Sequence, residues 1–246
     1  MKNIKRYPLG RKESPLDPRD WDLGTFKAAE ELKLQVEEPI TSMHWFFRGL
    51  RPLYQGDFGH CCGFMDANFL INDPINTPCT DEDGHRFYYM CKVFDGEPLN
   101  EEGSNIRSAA RVLQQIGRIQ NYAFAKDFET IKWWLLHKGP LLLGTVWYEG
   151  MFTPDPDGTV HPTGAVAGGH AWEANGIDEM YIYGQNSWGE WGIHGAFRIL
   201  ISDFIKILSV SGEAIAAVEL ESGLVRKLNI IELIINFIIS LFKKGE

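Results

Sequence analysis

The chain has 246 residues, 44% of them hydrophobic, enough for one large domain or two small lobes around a true apolar core, which excludes global disorder and a disulfide-dependent miniature fold. Its formal charge of −9, with no stripe of Lys and Arg, excludes a phosphate-tracking surface. No nucleic-acid partner is expected, and peptides or peptide-like substrates stay open.

Met1 to Lys12 is basic, but Glu13, Ser14, Pro15 and Asp17 stand where an export signal needs an apolar run, so no signal peptide is read and a cytoplasmic or virion-associated protein is expected. Residues 13 to 24 are rich in Pro, Asp and Gly and read as an extended lead-in. From Thr25 to Val36, the apolar spacing of Phe26, Ala29, Leu32 and Val36 predicts a helix, followed by a second apolar stretch from Met43 to Leu50. A glycine-containing loop then leads into Cys61, and Cys62 to Ile71, without Pro and apolar on most faces, predicts a buried helix starting near Cys61.

Cys61, Cys62, Cys79 and Cys91 are the only cysteines, and they do not make a disulfide framework, because neighbours such as Cys61 and Cys62 have the wrong geometry to bridge. Cys79 and Cys91 flank the turn-rich Thr80 to His85 and the strand-like Phe87 to Met90, which leaves open a bridge or two reduced thiols. Ser104 to Ile116 has helical spacing, with Ser104 as candidate N-cap and Gly117 as the stop, and Asp127 to His137 repeats the design before Gly139 and Pro140. Beyond that the texture changes: Leu141 to Tyr148, Gly169 to Asn175, Met180 to Tyr183 and Ala196 to Leu200 are short apolar or alternating runs between turns, as strands are. A short helix, Ser202 to Leu208, and a strand, Ala214 to Leu220, close the body. The chain reads as helical first and β-rich second, with no internal repeat.

A cysteine in the first turn of a helix sits where backbone N–H groups and the macrodipole favour a thiolate, and Cys61 is such a residue. A histidine beside it would hold the proton, and a third group would orient the imidazole. His170, in Gly168-Gly169-His170-Ala171-Trp172, and Asn186, in Gln185-Asn186-Ser187-Trp188-Gly189, each stand beside a strand-like run, so adjacent strands would present both at one end. Taken singly, a strand-end histidine is more often a hydrogen-bonded structural residue.

Order and context add what single residues do not. Gln55-Gly56-Asp57-Phe58-Gly59-His60-Cys61 resembles the glutamine-to-nucleophile segment of the papain-like cysteine peptidases, with the same six-residue offset. Gly169-His170-Ala171 is similar to that family's histidine strand, and Asn186-Ser187-Trp188-Gly189 followed by Gly195-Ala196-Phe197-Arg198-Ile199 to its asparagine motif. Gly139-Pro140 stands where relatives carry the same pair before an interior strand. The resemblance covers roughly residues 15 to 220 and implies an α+β, two-lobed fold: a helical lobe with Cys61 and an antiparallel, barrel-like β lobe with His170 and Asn186. The implied segments are a lead-in at 1–24, the helical lobe at 25–125, the β lobe at 126–221 and a tail helix at 222–246.

It further implies Cys61 as nucleophile, His170 as its base, Asn186 as the orienter of that base, and the Gln55 amide with the Cys61 N–H as oxyanion donors, a single such donor being worth about 3 kcal/mol in a comparable site. Trp188 would shield the His170–Asn186 contact, with Gly59 and Gly169 in support. The expected activity is hydrolysis of peptide bonds through an acyl-enzyme; alternatives are a cell-wall peptide hydrolase, or a virion or scaffold protein that keeps the fold without the activity. No cofactor or metal is expected, since the seven histidines show no zinc-like pairing.

Departures are also informative. Phe58 and Cys62 stand where many relatives have a disulfide cysteine and a tryptophan, and His60 replaces a small residue. His170 and Asn186 follow Cys61 by 109 and 125 residues, shorter than the roughly 130–150 of the papain pattern, which implies trimmed loops. No recognisable propeptide precedes the lead-in, a feature that with Trp147 to Phe152 and Pro162 to Gly164 resembles bacterial and bacteriophage members.

The tail from Leu228 to Phe242 is mostly Ile and Leu, with Asn229, Glu232, Asn236 and Ser240 forming a narrow polar stripe and Arg226, Lys227, Lys243 and Lys244 at its ends. Three readings stay open: a helix docking on a partner or in a homo-oligomer, an interfacial membrane helix through residues 224–246, or a short spanning anchor.

Overall fold

Two short strands, Arg11–Lys12 (β1) and Met43–His44 (β2), precede the helix Cys61–Ile71 (α1), in a computed structural model that describes residues 5–25 and 40–219. All eleven residues of α1 are buried, the polar Asp66 and Asn68 among them, because the rest of the protein packs around the helix on every face. The helix predicted beyond Thr25 and the tail helix lie outside the described residues. Among the described residues no helix is long and apolar enough to cross a membrane.

Asp81–Asp95 (α2) packs across α1. The strand expected at Phe87 to Met90 is therefore part of a helix. Thr80 and Asp83 form a capping box, Gly96 ends the helix in the left-handed conformation, and Gly84, Phe87, Tyr88 and Cys91 are buried at helical spacing. Cys91 and the half-buried Cys79 are free thiols. A Cβ at Gly63 would fall on the Gly84 carbonyl oxygen and the Tyr88 nitrogen, backbone atoms that cannot rotate away. Gly63→Ala is thus expected to destabilise the fold by about 1–3 kcal/mol. Urea unfolding measures it, and an unchanged midpoint would contradict so close a crossing.

Ser104–Asn105 (β3) pairs in parallel with β1 and leads into Ile106–Gln115 (α3). Asn105, not Ser104, caps α3, its side-chain oxygen accepting from the Ser108 N–H at 3.0 Å. Ser104 instead donates its backbone N–H to the Gly10 carbonyl. Ile119–Ala125 (β4) has no counterpart among the sequence-based expectations, whereas Phe128–His137 (α4), capped by Asp127, falls where a helix was predicted.

Leu141–Tyr148 (β5), Val166–Ile177 (β6), Tyr181–Gln185 (β7), Ala196–Leu200 (β8), the helix Ile201–Ser211 (α5) and Glu213–Glu219 (β9) complete the body. The strands form an antiparallel seven-stranded sheet in the order β4-β9-β5-β6-β7-β8, with β2 beside β6. Side-chain alternation splits its core in two. Leu142, Ile215 and Ala217 face the cluster around α1, α2 and α3, while Leu141, Leu143, Ala214 and Ala216 face a second cluster rich in tryptophan.

The lead-in is tied down along its length. Arg107 holds the Asp20 carboxylate and the Pro15 carbonyl, and the Phe124 N–H donates to the Trp21 carbonyl.

Candidate active site

Cys61 is the first residue of α1, and His170 lies on β6 opposite Thr145 of β5. Asn186 follows directly on β7, whose Gln185 pairs with Glu173, so the neighbouring strands deliver both residues to one end of the sheet. His170 Nε2 lies 2.9 Å from Asn186 Oδ1. Since a carboxamide oxygen only accepts, Nε2 carries the proton, and Nδ1 is the basic nitrogen. Nδ1 is buried and has no hydrogen-bond partner among the described residues.

Burial alone would raise the Cys61 thiol, but the Cys62 thiol, the His170 imidazole and the Ala171 N–H, 3.4 Å from the sulfur, outweigh it and hold Cys61 well below an ordinary thiol. Cys62 moves the other way, pushed well up by the adjacent Cys61 sulfur and by burial, and donates to the Ser104 carbonyl. One sulfur of the pair is thus favoured as thiolate and the other as thiol.

Trp188 stacks on the His170 ring at 4.6 Å between centroids, and Trp147 meets the ring edge-on at 4.9 Å. The Asn186 carbonyl receives the Asn68 amide from α1. Gln55 is fully buried: its Oε1 accepts from Ser187 Oγ at 2.5 Å, and its Nε2 donates to the Phe58 carbonyl at 2.6 Å and reaches the Pro8 carbonyl at 3.4 Å.

That Pro8 contact belongs to a strap for which the sequence carries no periodic signal. Tyr7 stacks on the outer face of Trp188 at 4.8 Å. Leu9 lies against Gly168, Gly10 against Gly59, and the Arg11 carbonyl against Gly169. Cys61, His170, Asn186 and Gln55 are buried beneath this segment and their own loops. The lead-in thus packs over Trp188, Gly168, Gly59 and Gly169, the residues that surround Cys61 and His170. Gly59 and Gly169 serve as its floor, where a side chain would meet the strap's backbone. The only hint in the sequence is glycine inside apolar, strand-like runs, at Gly144 and Gly169, which marks close approach of another chain segment.

His60 is buried, stacked on Tyr88 at 3.7 Å, with its Nδ1 2.8 Å from His85 Nδ1. Burial and then His85 push its pKa down to about 4, so no positive charge from His60 sits beside Cys61 at neutral pH. Among the described residues no three metal-ligating side chains come together.

Glu173, three residues beyond His170 on β6, is fully buried against Asn72, the C-cap of α1, whose side-chain amide donates to both carboxylate oxygens. Burial pushes its pKa up to about 8.

No family model and no curated protein matches the sequence. Solved structures do. Xylellain, a cysteine protease from Xylella fastidiosa, superposes with a TM-score of 0.66 at 16% identity, covering 90% of this chain and 99% of that one. ProCathepsin B S9 from Trypanosoma congolense gives 0.62 at 15%, covering 87% of each chain. The bromelain protease from Ananas comosus, in complex with the E64 inhibitor, gives 0.57 at 16%, covering 74% of this chain and all of that one. With a buried helix that begins at Cys61 packed on an antiparallel sheet, this chain has the fold of the papain-like cysteine proteases.

Proposed function

We propose that the protein is a cysteine peptidase in which Cys61 attacks a peptide carbonyl. The observation that carries the reading is the row Cys61, His170, Asn186, with Nε2 held by Asn186 and Nδ1 left for the sulfur. As the carbon–sulfur bond forms, the carbonyl electron pair moves onto oxygen, stabilised by the Cys61 N–H and one N–H of the Gln55 amide. The proton that the Cys61 thiol gives to His170 Nδ1 on forming the thiolate is then passed to the leaving nitrogen as the oxyanion collapses and the carbon–nitrogen bond breaks. Water, deprotonated by the same nitrogen, then attacks the thioester and releases the acid with the thiol restored. The substrate is a peptide or protein, and access to the sulfur requires displacement of residues 7 to 12.

The test is release of new amino termini from casein and from short peptides, together with mass spectrometry of the intact protein after exposure to E64. A single adduct mapped to Cys61 and turnover of at least one amide substrate are expected. An adduct elsewhere, or turnover that survives complete labelling of Cys61, would sink the assignment.

A further inference from the structure

We infer that Glu213 is the specificity-determining carboxylate of a side-chain pocket for arginine in the substrate, and that Arg11 now fills it; this rests on the peptidase reading. Arg11 is one residue beyond the Gly10–Gly59 crossing, and its carbonyl lies on Gly169, next to His170. An extended peptide in this groove therefore projects one side chain at that point, a short step from Cys61. The arginine side chain turns inward and is only 2% exposed, with its Nη2 on the Glu213 carboxylate and its Nη1 3.4 Å from Ser211 Oγ.

The walls are shaped for a long side chain. A Cβ at Gly144 would lie 2.7 Å from Arg11 Nε and 3.0 Å from the Ile106 side chain, so glycine there keeps the passage to Glu213 open. Glu213 begins β9 directly opposite Gly144, which fixes the carboxylate at the far end. A permanently closed wall would be served as well by an apolar pair, because an ion pair removed from water gives little net stability. What a carboxylate adds in a groove is discrimination by charge. Arginine suits it better than lysine, since one guanidinium reaches both Glu213 and Ser211 while an ammonium is a single point charge.

The strap itself supplies the probe. A synthetic peptide copying residues 5 to 14, and the same peptide with leucine in the Arg11 position, are titrated against the full chain carrying Cys61→Ala and Arg11→Ala. The remaining strap competes equally with both peptides, so the affinity ratio isolates the pocket. At least tenfold tighter binding of the arginine peptide is expected, falling to less than threefold when Glu213→Gln is added. Glu213→Asp keeps the charge and should retain part of the preference; circular dichroism establishes that each variant is folded. No arginine preference, or one that survives Glu213→Gln in folded protein, overturns the pocket.

The Arg11→Ala chain with Cys61 intact is then offered a peptide library. Cleavage with a basic residue at one fixed position, relaxed by Glu213→Gln, supports the proposal; cleavage without that preference overturns it. Binding discrimination without cleavage of any peptide would support the pocket and count against the peptidase reading instead.

Discussion

Replacing Cys61 by alanine is expected to lower amide hydrolysis by about 10⁴-fold or more, because no other group can supply the acyl-enzyme and the row loses its reacting atom. The effect should fall on kcat, since the groove that binds the peptide is unchanged. Far-ultraviolet circular dichroism should stay near that of the parent, because alanine keeps the backbone and Cβ at the start of the helix and only the sulfur atom is lost. Cys62→Ala is the control: its sulfur is held protonated and points to the Ser104 carbonyl, so labelling at Cys61 should persist with the same stoichiometry. Hydrolysis surviving in the Cys61→Ala protein, or lost only in Cys62→Ala, would move the nucleophile by one residue.

Glu173→Gln is expected to stabilise the protein increasingly as pH rises. The ordinary glutamate pKa is 4.5 and the folded value is raised to about 8, so the fold favours the neutral carboxyl. Below about pH 4.5 the group is protonated in both states and costs nothing. Between 4.5 and 8 the unfolded chain ionises and the folded one does not, and stability falls by about 1.4 kcal/mol per pH unit. Above 8 the penalty levels off. Glutamine removes the titration while its amide can donate to Asn72 Oδ1, which has no partner among the described residues. Urea unfolding of both proteins from pH 5 to 8 gives the difference directly, and a flat difference would show that Glu173 does not carry a raised pKa.

Much of this architecture was legible wherever one residue pattern decides the structure. Leu141–Tyr148 and Ala196–Leu200 form as strands over the predicted residues, because short apolar runs bounded by Gly and Pro have one way to be buried. Phe87 to Met90 misled because aromatic residues favour strands locally, while the capping box at Thr80 and the buried set Gly84, Phe87, Tyr88, Cys91 impose a helix over a longer span. Ile119–Ala125 was unreadable for the opposite reason: its exposed Gln120 and Asn121 break the alternation, and pairing with β9 supplies what pattern lacks.

The site divides in the same way. His170 and Asn186 meet as expected, since adjacent strands bring them together, but Gln55 donates to Phe58 and Pro8, a tertiary arrangement with no sequence period. The strap is equally silent, because Tyr7 to Lys12 has neither amphipathic spacing nor capping signals. Glu173 escaped notice because a glutamate inside an apolar strand shows its burial only once Asn72 is seen beside it.

The ties of Asp20 and Trp21 to Arg107 and Phe124 have a kinetic meaning. They leave the segment ahead of them on a short leash, so a dislodged strap returns by a first-order step whose rate ignores how dilute the solution is. A competing peptide of equal intrinsic affinity faces a local concentration on the order of millimolar. Occupancy of the groove in a nanomolar sample and in a crowded compartment is therefore set by the same internal equilibrium.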